Sequence, residues 1–148
     1  MPTRGRAATG AIESTLLDYR DHGDRRSGAE PQKLIDSALV ERSLIVALRR
    51  FLKVEQDLGV EPPVFVMPSL VGVKGYGLLT KWTRCSTTYR FDRDTVLLPE
   101  EVVEGYDEPA DRLLRPAFDA MWQGAGFESC RNYKGGRWSD NDDGSPTF

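Results

Sequence analysis

Few side chains in this sequence are of the kinds that do chemistry, and their spacing narrows them further. Among 148 residues there are two cysteines and one histidine. Cys85 and Cys130 are far apart and neither belongs to a CxxC pair. A structural zinc site takes four N or S ligands at short local spacings, so one chain cannot build it from this set. A Cys–His couple would join Cys130 to His22, which lies in a polar N-terminal stretch; the expectation for both thiols is reduced and structural. GxSxG and SxxK are both missing, which argues against a serine nucleophile. The sequence therefore predicts no catalytic residue, no metal ligand set and no cofactor.

Three clusters remain. Gly72, Gly75 and Gly77 lie close together. A phosphate cradle needs its glycines to open onto a helix N-terminus, yet Tyr76 to Thr80 continues as a strand, so the reading is turn geometry. Asp92, Asp94, Glu100, Glu101, Glu104, Asp107 and Glu108 come with only Arg93 among them. Clustered carboxylates can hold Mg²⁺ or act as an acid–base pair. Adjacent Glu100 and Glu101 would face opposite sides of a strand, so a solvated loop and strand edge is expected. Basic residues interleave with aromatic ones between Lys74 and Arg93, a pattern that suits stacking on single-stranded nucleic acid. Its candidate residues are Lys74, Tyr76, Lys81, Trp82, Arg84 and Arg90, with Tyr133, Lys134, Arg137 and Trp138 as an extension. The competing reading is ordinary cross-strand aromatic packing. The net charge of −3, from 20 Lys+Arg against 23 Asp+Glu, argues against a general polyanion binder.

The elements that must carry these groups are legible as periodicity. Val40, Leu44, Ala47, Phe51, Val54 and Leu58 alternate spacings of four and three, and Ile45, Leu48 and Leu52 broaden this seam, which predicts a helix from about Asp36 to Leu58. Asp36 or Ser37 caps its start and Gly59 its end, with Pro62 and Pro63 beyond. Val64 to Met67 reads as a short buried strand. Leu70 to Val73 and Tyr76 to Thr80 read as a hairpin or bulged pair around Lys74 and Gly75. Thr95 to Leu98 and Glu101 to Glu104 read as extended. A final amphipathic helix spans 109–125, with Pro116 kinking or restarting it. Residues 1–33 are predicted to be a flexible N-terminal segment, with Arg20 to Gly28 as linker, and 139–148 a flexible acidic tail. The domain is then 34–138. Its expected class is α+β: a small, mostly antiparallel sheet with two main helices packed on one face. No apolar run approaches the ~20 residues of a membrane span. No apolar segment follows Met1 to Arg6, which predicts a cytoplasmic protein without a secretory leader.

One resemblance covers roughly 90 of the 148 residues. It rests on FLKVEQDLGVEPPVFVMPSLVGVKGY, then FDRDTVLLPEEVVE, then LRPAFDAMWQGAGFESCRNYKGGRW, in that order. This region resembles the C-terminal portion of bacterial ATP-binding or DNA-binding proteins with an AlbA_2 (Schlafen-like) domain. In those proteins the AlbA_2 domain precedes this region and carries the nucleotide or nucleic-acid chemistry. The residues before Leu34 are too few to hold it, so no catalytic residue of that domain maps here. The resemblance implies an accessory role beside a nucleic-acid or nucleotide enzyme.

These readings combine into an expectation of a non-catalytic module acting by self-association or by docking a Schlafen-like partner. Its interface candidates are Val40, Leu44, Phe51, Val54, Phe118 and Trp122, because the two apolar stripes are wider than a small sheet needs. The alternative is a nucleic-acid-binding module using the basic and aromatic strand surface.

Overall fold

The computed structural model describes residues 20–22, 32–81 and 89–140. In chain order the elements are β1 (Arg20–His22), β2 (Gln32–Asp36), α1 (Ser37–Asp57), β3 (Val64–Val66), β4 (Ser69–Val71) and β5 (Gly77–Leu79). Then follow β6 (Thr95–Leu97), β7 (Glu101–Val103), α2 (Ala110–Leu113), α3 (Arg115–Gly124), β8 (Tyr133–Lys134) and β9 (Arg137–Trp138). The class is α+β, built from helices and small, mostly antiparallel sheets.

The long helix forms where its spacing predicts. The Asp36 carboxylate accepts a hydrogen bond from the Leu39 N–H at 3.2 Å, which satisfies one of the orphan donors of the first turn. At the other end Gly59 has φ 74°. There the Gly59 N–H donates to Gln56 O and the Val60 N–H to Glu55 O, both at 3.0 Å. That left-handed cap needs no Cβ, which is why glycine suits it.

The buried face of α1 differs from the expected one. Ser37, Val40, Glu41, Ile45, Leu48, Leu52 and Glu55 point inward, while Val54 and Leu58 are exposed. The packed stripe is therefore the flank of the expected seam, Ile45, Leu48 and Leu52 with Val40, and not its far end. Glu41 joins it in the core because its carboxylate finds partners there. Pro116 opens α3; lacking an N–H, it ends one helical run and starts the next, as the sequence indicates.

The sheet is not a single one. β1 pairs antiparallel with β2, and β2 pairs parallel with β5. β3 pairs with β7, β4 with β6 and β8 with β9, all antiparallel. The predicted hairpin of 70–73 with 76–80 does not form, because β4 and β5 belong to different sheets. Arg20–His22, expected as linker, is an edge strand; its sequence has no apolar alternation that could have revealed it. The remainder of the predicted flexible segments, 1–19, 23–31 and 141–148, lies outside the described residues. At the C-terminal end Ser139 is buried and donates its N–H to Asn132 O at 2.7 Å, so the packed region extends past the expected boundary at 138.

The core gathers Ile45 and Leu48 of α1, Leu78 of β5, Val103 of β7, Leu113 and Leu114, then Phe118, Met121 and Trp122 of α3 and Trp138 of β9. Val40, Phe118 and Trp122, expected at an interface, are thus interior to this chain. The two apolar stripes are largely spent on each other and on the strands. Of the remaining interface candidates, Leu44 and Phe51 are half-buried and Val54 is exposed.

Candidate interaction surface

β3 and β4 follow one another with only Met67 and Pro68 between them, and they pair with β7 and β6 in turn. The two pairs form one ribbon, 64–71 against 95–103. Val64 lies opposite Val103 and Phe65 opposite Val102. Farther along, Ser69 lies opposite Leu97 and Val71 opposite Thr95. Between the paired blocks one strand carries Met67 and Pro68 and the other carries Leu98, Pro99 and Glu100. The extra residue makes a β-bulge, and the inward-facing positions change parity across it. The Leu98 N–H donates to Pro68 O at 3.2 Å and holds the two halves together.

One face of this ribbon packs on the core through Val64, Val66, Leu70 and Val96. An antiparallel ribbon with one wet face normally turns polar side chains outward. Here the outward positions are Phe65, Met67, Ser69 and Val71 on one strand and Thr95, Leu97, Glu100 and Val102 on the other. Glu100, at the bulge, is the one charged residue among them. Phe65 is 57% exposed, Met67 71%, Val71 73%, Leu97 79% and Val102 38%. Contiguous exposed apolar groups of this kind mark interaction surfaces on soluble proteins. Val64 to Met67, expected as a buried strand, is buried only at alternate residues, because one face of the ribbon packs on the core and the other does not.

The end of the face near Val64 and Val103 is acidic, with Glu61, Glu100 and Glu104 exposed. At the other end Asp92 and Asp94 stand among the exposed cations Lys74, Arg90 and Arg93, and Arg93 Nε is 4.0 Å from the Asp92 carboxylate. Burial and then the Glu108 charge raise the pKa of Glu101 above its ordinary 4.5.

Two other places were candidates for chemistry. The first is Glu41, which is fully buried. Its carboxylate accepts from Trp122 Nε1 at 2.7 Å, Asn132 Nδ2 at 2.8 Å and Trp138 Nε1 at 2.5 Å. This joins α1 to α3 and to the β8–β9 hairpin, where Gly135 and Gly136 take positive φ in the tight turn. Burial raises the Glu41 pKa above 4.5, and the donated hydrogen bonds only partly offset it. Cys130 lies beside it, and burial followed by the Glu41 charge pushes its thiol far up. A thiol held protonated is a poor nucleophile, so the group reads as an internal tie. Asp111 makes a second tie: it accepts from Arg137 Nε at 2.7 Å and from the Trp138 N–H at 3.1 Å.

The second is an open cleft of about 440 Å³ at the N-terminal end of α1, lined by Asp36, Ser37, Thr80, Lys81, Asn132 and Asp140 among others. Its charged groups are engaged. Asp36 caps the helix, Lys81 donates to Asp140 O at 3.3 Å, and Asp140 pairs with Arg42. Among the described residues no group of three His, Cys, Asp or Glu is placed to hold a metal ion, and no helix is long and apolar enough to cross a membrane.

The predicted nucleic-acid residues are only partly brought together. Lys74, Tyr76 and Arg90 meet at the 72–76 turn, where Arg90 Nη1 donates to Gly75 O at 2.8 Å. Tyr76 is half-buried, with Lys33 Nζ 5.7 Å from its ring centroid. Lys81 sits at the other end of β5, and Trp82 and Arg84 lie outside the described residues. In the proposed extension Trp138 is buried and Arg137 is paired to Asp111. The ribbon face was missed, although its signal stood in the sequence as charge-free alternate positions in VFVMPSLV and TVL. Comparison with protein-family models, with curated proteins and with solved structures gives no match to this chain.

Proposed function

We propose that this chain is a non-catalytic interaction module that docks through the outward face of the β3–β4/β6–β7 ribbon. The observation that carries the reading is that face itself: five large apolar side chains are exposed, with Glu100 the one exposed charge within the ribbon. Soluble monomers seldom leave such a surface uncovered. Its occupant is a second copy or another protein. The resemblance to the accessory region of Schlafen-like proteins favours a partner concerned with nucleic acid. The buried, mutually satisfied state of Glu41, Cys130 and Asp111 supports a structural role for the strongest polar clusters.

The test uses Val71→Asp and Leu97→Asp, both at exposed positions. Chemical cross-linking of the wild type should give an associated species, either self-paired or with another protein. The two variants should lose it while their thermal midpoints move by no more than a few degrees, as surface changes do. Equal cross-linking in wild type and variants would overturn the reading. The alternative of a nucleic-acid surface draws support from Lys74, Tyr76 and Arg90 at one turn. A polyanion there would also meet Asp92 and Asp94 on the adjoining segment. A salt-sensitive mobility shift with single-stranded DNA or RNA would favour that alternative.

A further inference from the structure

Among the described residues, the exposed large apolar side chains fall mainly on two surfaces that carry opposite charges at one end. The first is the ribbon face, with Glu61, Glu100 and Glu104 at the end near Val64 and Val103. The second is the outer side of α1, where Val54 is 46% and Leu58 71% exposed. Arg50 and Lys53 flank them, both exposed, with Lys53 Nζ also 2.6 Å from the Asp57 carboxylate. Arg50, Val54 and Leu58 are four apart and therefore lie along one line of the helix.

The shapes correspond as well as the charges. A helix with its side chains is about 10–12 Å across. Two strands about 4.8 Å apart, with their side chains, offer a strip of similar width. The stretch from Arg50 to Leu58 is about 13 Å long at 1.5 Å per residue. The ribbon from Val64 to Val71, at about 3.3 Å per residue, is about 23 Å long. The strip can therefore seat the helix line, with Arg50 and Lys53 toward the end that carries Glu61, Glu100 and Glu104.

Within one molecule this contact cannot be made by α1 itself, whose inward face already holds the core. We infer that the ribbon is occupied by the outer face of α1 from a second copy of this chain. This rests on the docking face proposed above and identifies its partner. The contact is reciprocal in a twofold dimer: each copy gives its α1 line to the other's ribbon, so that both surfaces are covered twice. Apolar contact supplies the centre, and Arg50 and Lys53 meet carboxylates at the rim. An anionic membrane or a nucleic acid would be repelled from the end that carries Glu61, Glu100 and Glu104.

The experiment is a charge swap read by sedimentation velocity. One variant is Arg50→Glu with Lys53→Glu, and the other is Glu100→Lys with Glu104→Lys. All four positions are exposed, and circular dichroism checks that both variants fold. The wild type should dimerise at micromolar concentration, more weakly as salt is raised. Each variant alone should dissociate at least about tenfold more readily, because like charges then oppose each other. Mixing the two variants should restore association, since both contacts of the mixed dimer again pair opposite charges. A wild type that stays monomeric at high micromolar concentration overturns this inference; the docking face then stands or falls on the Leu97→Asp cross-linking test with other proteins. A dimer unaffected by the swap, or one that mixing fails to restore, also overturns it. A dimer that survives Leu97→Asp as well would remove the docking face altogether.

Discussion

Replacing Glu41 by glutamine tests whether the buried carboxylate holds the fold together. The side chains are close in size, so little packing changes. The chemistry changes, because one acceptor oxygen becomes an NH₂ donor. Trp122, Asn132 and Trp138 all present donors to this group. The best placement of the amide keeps its oxygen on Asn132 and Trp138 and turns its NH₂ toward Trp122. That leaves one indole N–H and one amide group unsatisfied in the core. At about 1–3 kcal/mol for each buried unsatisfied group, the loss is about 2–4 kcal/mol after partial relaxation. Alanine orphans all three donors and opens a space, so its cost is larger, about 3–5 kcal/mol. Against a typical total of about 5–15 kcal/mol, either loss is easily measured. Urea unfolding followed by tryptophan fluorescence suits the question, since Trp122 and Trp138 are buried and remain in both variants. A change below about 0.5 kcal/mol for Glu41→Gln would refute the reasoning. It would mean that the three donors are satisfied elsewhere or that the carboxyl is neutral near pH 7. The pH profile gives an independent check. Burial raises the folded-state pKa of Glu41 above 4.5, so the folded chain holds a proton that the unfolded chain has lost. Its contribution to stability therefore grows as pH falls through the raised folded value toward 4.5, and is absent above that window. Glu41→Gln should abolish this component.

Asp111 should behave in the opposite sense. Burial pushes its pKa up, but the hydrogen bonds from Arg137 and Trp138 together with the Arg137 charge outweigh it and hold it below 3.8. Its stabilisation is present above 3.8 and is lost as pH falls through the lowered folded value; acid titration of wild type and Asp111→Asn should diverge only across that range. Asp111→Ala should cost about 1–3 kcal/mol by urea unfolding, whereas Arg137→Met, at a 43% exposed side chain, should cost about 1 kcal/mol or less. Leu48→Ala, in the α1 core face, should cost about 2–5 kcal/mol in the same assay, and a loss below about 1 kcal/mol would place Leu48 outside the core. Cys130, buried with its thiol pushed up, should resist a maleimide at neutral pH until urea unfolds the chain; prompt labelling in the native state would contradict its burial.

Much of the local architecture was legible in the sequence because its causes are local. The three-and-four spacing of apolar residues marked α1 and the 109–125 region. Asp36 and Gly59 marked the ends of α1, and Pro116 marked the restart, since a missing N–H acts wherever the residue stands. Short extended segments at 64–67, 95–98 and 101–104 were also visible. The absence of a catalytic motif was a statement about residue types and needed no fold.

Which strand lies beside which was decided only by the tertiary structure. The parallel pairing of β2 with β5 joins residues more than forty apart in sequence, and no local pattern encodes such a choice. The same holds for the face of α1. Hydropathy alone marks a broad stripe that runs from Ile45, Leu48 and Leu52 across to Val54 and Leu58, and does not say which edge turns inward. Glu41 moves to the interior because Trp122, Asn132 and Trp138, all distant in sequence, converge on its carboxylate. A buried carboxylate is costly without such donors and acceptable with them. Turning the edge with Ile45, Leu48 and Leu52 inward leaves Val54 and Leu58 outside, and the one-sided packing of the ribbon leaves Phe65, Met67, Val71, Leu97 and Val102 outside as well. Sequence sets which side chains are apolar; only the packed chain determines which of them its own core has no room to cover.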